Sequence, residues 1–153
     1  MLSVDTNILF HGLNEDSPQH AAAHAWLVSI SGDEGVAISE FILAELYGLL
    51  RNPAVLRHPL TAAEAIDVIQ TYRTHPRWRL IGFPMESRQT HNRLWDAACG
   101  QDFAFRRLYD VRTALTMTSQ GVQEFATANV KDFEGLGFRK VWNPLKPGPQ
   151  RDR

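Results

Sequence analysis

Short β-branched runs alternate with helix-length patterns along nearly the whole chain, and that alternation leaves few folds open. Leu2 to Val4, Val36 to Ser39, Arg79 to Phe83, Glu124 to Thr127 and Lys140 to Trp142 read as five strands. Ser17-Pro18 reads as a helix start, serine as cap and proline in the first turn, leading into His20 to Ser31 and stopped by Gly32. Glu40 to Arg51 is a helix ended by Asn52-Pro53. Thr61-Ala-Ala-Glu64 is a capping box opening a helix with Ala65, Ile66, Ile69 and Tyr72 on one side. Ser87 to Cys99 and Arg106 to Ser119 are two more. Strands separated by helices of this length join as parallel neighbours. The expected fold is therefore α/β: a parallel sheet of about five strands between helices on both faces. Sheets of that kind carry their sites at the carboxyl ends of the strands.

The 153 residues suffice for one compact domain. It is expected over residues 1–144, with a flexible tail over 145–153 that is rich in proline and glycine. Apolar residues make up 44% and charged residues 22%, a balance that speaks against disorder. No apolar run nears the roughly 20 residues that span a bilayer, and MLSVDTNILF lacks the basic segment of a signal peptide. A single cysteine, Cys99, leaves no intramolecular disulfide or cysteine-based zinc site and agrees with a cytoplasmic location. It is expected as a small buried residue in a helix. The net charge of −1 leaves nucleic-acid binding open, because acids that hold a divalent ion lose part of their charge to it.

Four acids stand out. Asp5 follows the first strand, either as an acid projecting from the sheet edge or as a plain helix N-cap. Glu45 shares a face with Phe41 and Leu49 in a helix, Phe41-Ile-Leu-Ala-Glu-Leu-Tyr-Gly-Leu-Leu50, that is apolar almost all round and reads as buried. A carboxylate there needs a cation or an arginine partner. Asp110 lies in the first turn of a helix, where the dipole alone favours an acid. Asp132 follows the fourth strand, where turn chemistry alone accounts for an aspartate. Asp5 and Asp132 fall at the same sheet edge, and the helices of Glu45 and Asp110 can flank it. Converging carboxylates repel one another unless a cation joins them. A hard ion such as Mg²⁺ or Mn²⁺, held by oxygens and retained waters, resolves the conflict and suits phosphate-ester hydrolysis.

These residues also carry a likeness. VDTNILF, SEFILAEL, YDVRTAL and FATANVKDFEGL resemble, in order, the motifs of PIN-domain ribonucleases, most closely the VapC-type toxins of bacterial toxin–antitoxin pairs, over roughly Leu2 to Pro144. The resemblance implies a PIN-like three-layer sandwich and metal-dependent endonucleolytic cleavage of RNA. It also implies a homodimer and a small VapB-like antitoxin as partner. By position, Asp5 and Asp110 match the principal metal ligands and Glu45 the acid that completes the site. Asp132 matches a weaker fourth acid, and Thr6, Asn7, Thr127 and Asn129 match pocket-lining polar residues. Many members carry aspartate at the place of Asn129. Asparagine there removes a charge, so one bound ion is expected rather than two.

Arg51, Arg57, Arg106, Arg107 and Arg112 lie near the acidic motifs in sequence and are candidates for RNA contact, arginine being suited to phosphate by its forked geometry. As solvated surface residues they need no function. Trp26, Trp78, Trp95 and Trp142 read as core or interface residues rather than base-stacking platforms. His20 and His24 are four apart but flanked by alanines, which gives no credible zinc pair. A haloacid-dehalogenase-type phosphohydrolase needs a second aspartate where Asn7 stands, and a phosphate-receiving signalling domain needs an acidic pair before Asp5. A PIN domain that binds or scaffolds RNA without cutting it is the stronger alternative, although such proteins usually lose one of the acids kept here.

Overall fold

The computed structural model describes residues 1–146. Along the chain run β1 (Leu2–Val4), α1 (Thr6–Leu13), α2 (His20–Ile30), β2 (Val36–Ser39), α3 (Glu40–Leu50) and α4 (Ala62–Arg73). They are followed by β3 (Arg79–Ile81), α5 (Ser87–Ala98), α6 (Arg107–Ser119), β4 (Glu124–Ala126), α7 (Val130–Phe133) and β5 (Lys140–Trp142). The five strands form one all-parallel sheet in the order β3-β2-β1-β4-β5. Moving outward from β1, the chain first travels to β2 and β3, then crosses back to β4 and on to β5. Right-handed crossovers in opposite directions place α1 to α4 on one face and α5 to α7 on the other. The helix contacts follow that division, α1 with α2 and α3, α3 with α4, α5 with α6 and α6 with α7.

Burial explains the strand chemistry. All four residues of β2 are buried, as expected of an inner strand covered on both sides. Val4, Ile8, Leu9, Ile38, Ile42, Leu43, Leu46, Met117 and Phe125 form the centre of the core. Phe125 is closed off by Phe133 and Phe138, whose ring centroids lie 4.6 and 4.9 Å from its own. Gly12 marks where α1 meets α2: a Cβ there would stand 2.6 Å from the Leu27 side chain. Thr61 and Glu64 form the expected reciprocal capping box at the start of α4.

Several local readings need correction. Ser17 does not cap α2. Its carbonyl accepts from His20 N at 3.0 Å and its hydroxyl from Gln19 N at 3.2 Å, so Ser17-Pro18 closes a turn ahead of the helix. The third strand stops at Ile81, and Phe83 beyond it is 74% exposed. Cys99 is exposed after α5, its thiol donating to the Asp96 carbonyl, because α5 is a polar helix that packs on α6 and buries only Thr90 and Leu94. In α4, Ala65 and Ile69 face inward while Ile66, about 100° round the helix, is exposed. Trp95 is likewise exposed, whereas Trp78 is buried and donates to the Ile30 carbonyl. Leu145 packs against the core, and the rest of the expected tail, from Pro147, lies outside the described residues. Among the described residues no helix is long and apolar enough to cross a membrane.

Because Phe125 is fully buried between two rings, Phe125→Ala is expected to destabilise the fold by about 3–5 kcal/mol. Ile66→Ala, at an exposed site, is expected to cost under about 0.5 kcal/mol. Urea denaturation of the two variants measures the contrast.

Candidate active site

The strand order reverses beside β1, where the connections from β1 and from its neighbour β4 leave in opposite directions. A crevice opens at such a switch point, outside the carboxyl ends of the strands. Asp5 follows β1 and Thr127 follows β4, so both enter the crevice from the sheet. The two readings of Asp5 coexist. Its Oδ1 accepts from Thr6 N at 2.8 Å and caps α1. Its Oδ2 accepts from Thr127 Oγ1 at 2.6 Å and Asn7 Nδ2 at 2.7 Å. Asn7 Oδ1 in turn accepts from Ala128 N at 3.1 Å, and Thr127 Oγ1 accepts from Asn129 N at 2.9 Å. This network ties the start of α1 to the loop after β4.

A cavity of about 490 Å³ stands over this network. Asp5, Glu45, Asp110 and Asp132 all line it, with Thr6, Asn7 and Asn129. They come from the end of β1 and the helices α1, α3, α6 and α7, brought together from separate stretches of the chain. Thr127 does not line the cavity. It is fully buried beneath Asp5 and acts on the pocket through that carboxylate. Glu45 also departs from expectation. It is exposed, as are Ala44 and Gly48, so α3 shows a narrow open strip to the pocket rather than burial all round. Its Oε2 accepts from Thr6 Oγ1 at 2.9 Å, and among the described residues no arginine pairs with it, the alternative the sequence left open.

The electrostatics are those of crowded acids. Burial pushes the Asp5 carboxyl up to about 7, with the charges of Glu45 and Asp110 adding to the rise and the hydrogen bonds from Thr127 and Thr6 opposing it. Asp110 is raised to about 6 by burial and by Asp132 and Glu45, against the nearby Arg107. Among the described residues, no three His, Cys, Asp or Glu side chains are close enough to form a ready-made metal cage. The arrangement is instead a ring of oxygens spread around a cavity.

The arginines divide. Arg106 and Arg112 line the cavity. Arg107 does not, although its charge reaches Asp110. Arg51 sits at the far end of α3, bonded to the Tyr47 hydroxyl at 3.1 Å and outside the pocket, because α3 carries it away from the sheet edge. Arg57 lines a different hollow beside Phe10 and His11. The cavity walls also include Phe41, Tyr109 and Thr113, which the acid-centred reading of the sequence passes over. The four-residue spacing of Phe41 and Glu45 and the three-residue spacing of Tyr109 and Arg112 are the signals that lead to two of them.

Raised carboxyl values carry a sign for stability. Without a metal, the folded chain holds protons on Asp5 and Asp110 at pH values where the unfolded chain has lost them. Stability from these groups is complete below about pH 4 and is lost as pH rises through about 6 and 7. In EDTA, the melting temperature attributable to them should therefore fall between pH 4 and pH 7.5, and Asp5→Asn should flatten that slope. An unchanged slope in the variant would contradict the burial and crowding described.

Comparison with known proteins places this geometry. The PIN domain family matches residues 2–133. Ribonuclease VapC24 of Mycobacterium tuberculosis is 47% identical over 145 residues, covering 95% of this chain and 97% of the relative. The crystal structure of Mycobacterium tuberculosis VapC20, a sarcin-ricin loop cleaving toxin, superposes with a TM-score of 0.65 at 19% identity, over 90% of this chain and 96% of that one. VapBC2 from Rickettsia felis, bound to a DNA fragment from its promoter, gives 0.58 at 18% identity over 93% and 97%. The chain belongs to the PIN-domain family, among its VapC members.

Proposed function

We propose that the protein is an endoribonuclease that hydrolyses RNA phosphodiester bonds with Mg²⁺ or Mn²⁺, and that it is the toxin of a toxin–antitoxin pair. The observation that carries the reading is the convergence of Asp5, Glu45, Asp110 and Asp132 on one cavity at the switch point of a parallel sheet. The relative that is 47% identical is itself named a ribonuclease.

The donor set fits a hard divalent ion. All candidate ligands are oxygens, and Asp5 and Asp110 are raised first by burial and then by the neighbouring carboxylates, a charge that a cation would offset. Mg²⁺ is commonly held by one or two carboxylates with several retained waters, which a spread ring of acids suits better than a closed cage. Asp5 and Asp110 would hold it, and Glu45 would complete the site directly or through a water. When bound, such an ion offsets charge on the phosphate and makes a coordinated water a better nucleophile.

The chain's own side chains supply position and proton transfer. Thr127, Asn7 and the Thr6 amide fix the Asp5 carboxylate, leaving it no freedom to turn away. Thr6 orients Glu45 by its hydroxyl. Glu45 or Asp110 accepts a proton from the attacking water as its oxygen bonds to phosphorus. One phosphorus–oxygen ester bond then breaks, and the leaving oxygen takes up a proton from solvent. No covalent intermediate with the protein is needed. Asn129, neutral on the pocket wall, favours a single tightly held ion. Pairing with a small antitoxin completes the reading, supported by the likeness to VapBC2; self-association is part of the same proposal and rests on the family resemblance alone.

Purified protein should cleave structured RNA with Mn²⁺ or Mg²⁺, and Glu45→Gln should lower the rate by about 10²–10⁴-fold if it accepts the proton. Asp5→Ala should abolish cleavage. Equal cleavage by wild type and Asp5→Ala would sink the assignment. Millimolar Mn²⁺ should also raise the melting temperature, less so in Asp110→Asn. Calorimetry should give one tight site, and two equivalent tight sites would overturn the role given to Asn129.

A further inference from the structure

The pocket also holds a cation that the acids do not pair with. Arg112 lines the cavity from α6, yet its guanidinium carbon lies 4.4 Å from the centre of the Phe41 ring on α3 and 5.3 Å from that of Tyr109. Two aromatic rings thus hold the guanidinium in place, Tyr109 one helical turn behind it and Phe41 across from it. Among the described residues, Arg112 forms no ion pair, although four carboxylates line the same cavity. Its Nε is buried without an acceptor. Arg107, not Arg112, is the cation that bears on Asp110. The helix explains this separation: residues 110 and 112 lie about 200° apart around α6, so their side chains leave on different sides.

A guanidinium that is positioned but unpaired, exposed to a cavity it shares with the acids, is suited to an anion brought in by a ligand. Stacking on Phe41 and Tyr109 removes much of the freedom that an arginine loses on gripping a phosphate, so the fork is ready before the ligand arrives. We infer that Arg112, held by Phe41 and Tyr109, binds a backbone phosphate of the substrate strand other than the scissile one. This rests on the nuclease reading and adds a binding residue to it. Arg112 is then a substrate-binding residue whose contribution is the same before and during the reaction.

The experiment compares wild type with Arg112→Gln, which keeps a planar group on a stem over Phe41 but removes the charge, and with Arg112→Lys, which restores charge without the fork. Two readouts are taken with a 5′-fluorescein-labelled 12-nucleotide single-stranded RNA. One is the dissociation constant by anisotropy in EDTA, and the other is KM and kcat with Mn²⁺. Arg112→Gln should weaken binding and raise KM about 10- to 100-fold, with kcat changed far less. The slope of log affinity against log salt should fall by about one, and Arg112→Lys should restore that slope while recovering only part of the affinity. A strut between α3 and α6 would instead lower the melting temperature and leave the salt slope alone; that result overturns the inference. So does binding by Arg112→Gln equal to wild type. If Arg112 proves to govern binding in EDTA while no RNA is cut with Mn²⁺, the nuclease reading fails and the phosphate contact stands.

Discussion

The buried carboxylate of Asp5 is the constraint on which the rest of the structure depends. It accepts from the backbone of Thr6, the side chain of Asn7 and the hydroxyl of Thr127, and so it joins the end of β1, the first turn of α1 and the end of β4 in one network. Those bonds do two things at once. They satisfy a helix end that would otherwise leave donors unpaired, and they set the width of the crevice where the strand order turns back. A buried carboxylate is costly even when bonded, and here the cost appears as a carboxyl pushed up to about 7. The fold bears that cost at the place where a cation or a phosphate-bound cation could relieve it.

The walls around that centre come from both faces of the sheet. From one face, α3 offers Glu45 and Phe41; from the other, α6 offers Asp110, Tyr109 and Arg112. Few groups bridge the two walls, and the Arg112–Phe41 contact is one of them. The pocket is therefore lined both by four acids and by Arg106 and Arg112, the latter held between two aromatic rings. A polyanion laid across it meets both. The near-neutral net charge of the chain conceals this concentration of both signs in one cavity, because the sum takes no account of position.

Much of this was legible in the residues themselves. The five strands and the parallel sheet follow from alternation of short apolar runs with helix-length segments, a local signal that survives folding. The acids at the ends of β1 and β4 could be assigned to one edge because a parallel sheet aligns every strand's carboxyl end. Two helices were hard to bound: α1 begins directly after β1 with no glycine or proline to mark it, and α7 has only four residues. Glu45 was placed in the right pocket for a partly wrong reason. The apolar pattern of α3 suggests burial all round, but it packs only Ile42, Leu43, Leu46 and Leu50 inward and leaves the Glu45 strip open.

The sequence by itself determined the strands, the longer helices after the first and the parallel sense of the sheet, together with the identity of the acids at its edge, because periodicity and turn chemistry act over a few residues. Only the tertiary structure decided that Thr127 lies under Asp5, that Thr6 holds Glu45, that Arg51 and Arg57 stand away from the pocket and that Arg112 is clasped by two rings. Each of these depends on where helices far apart in the chain come to rest against the sheet. That is a property of packing and axis direction, which no local pattern encodes.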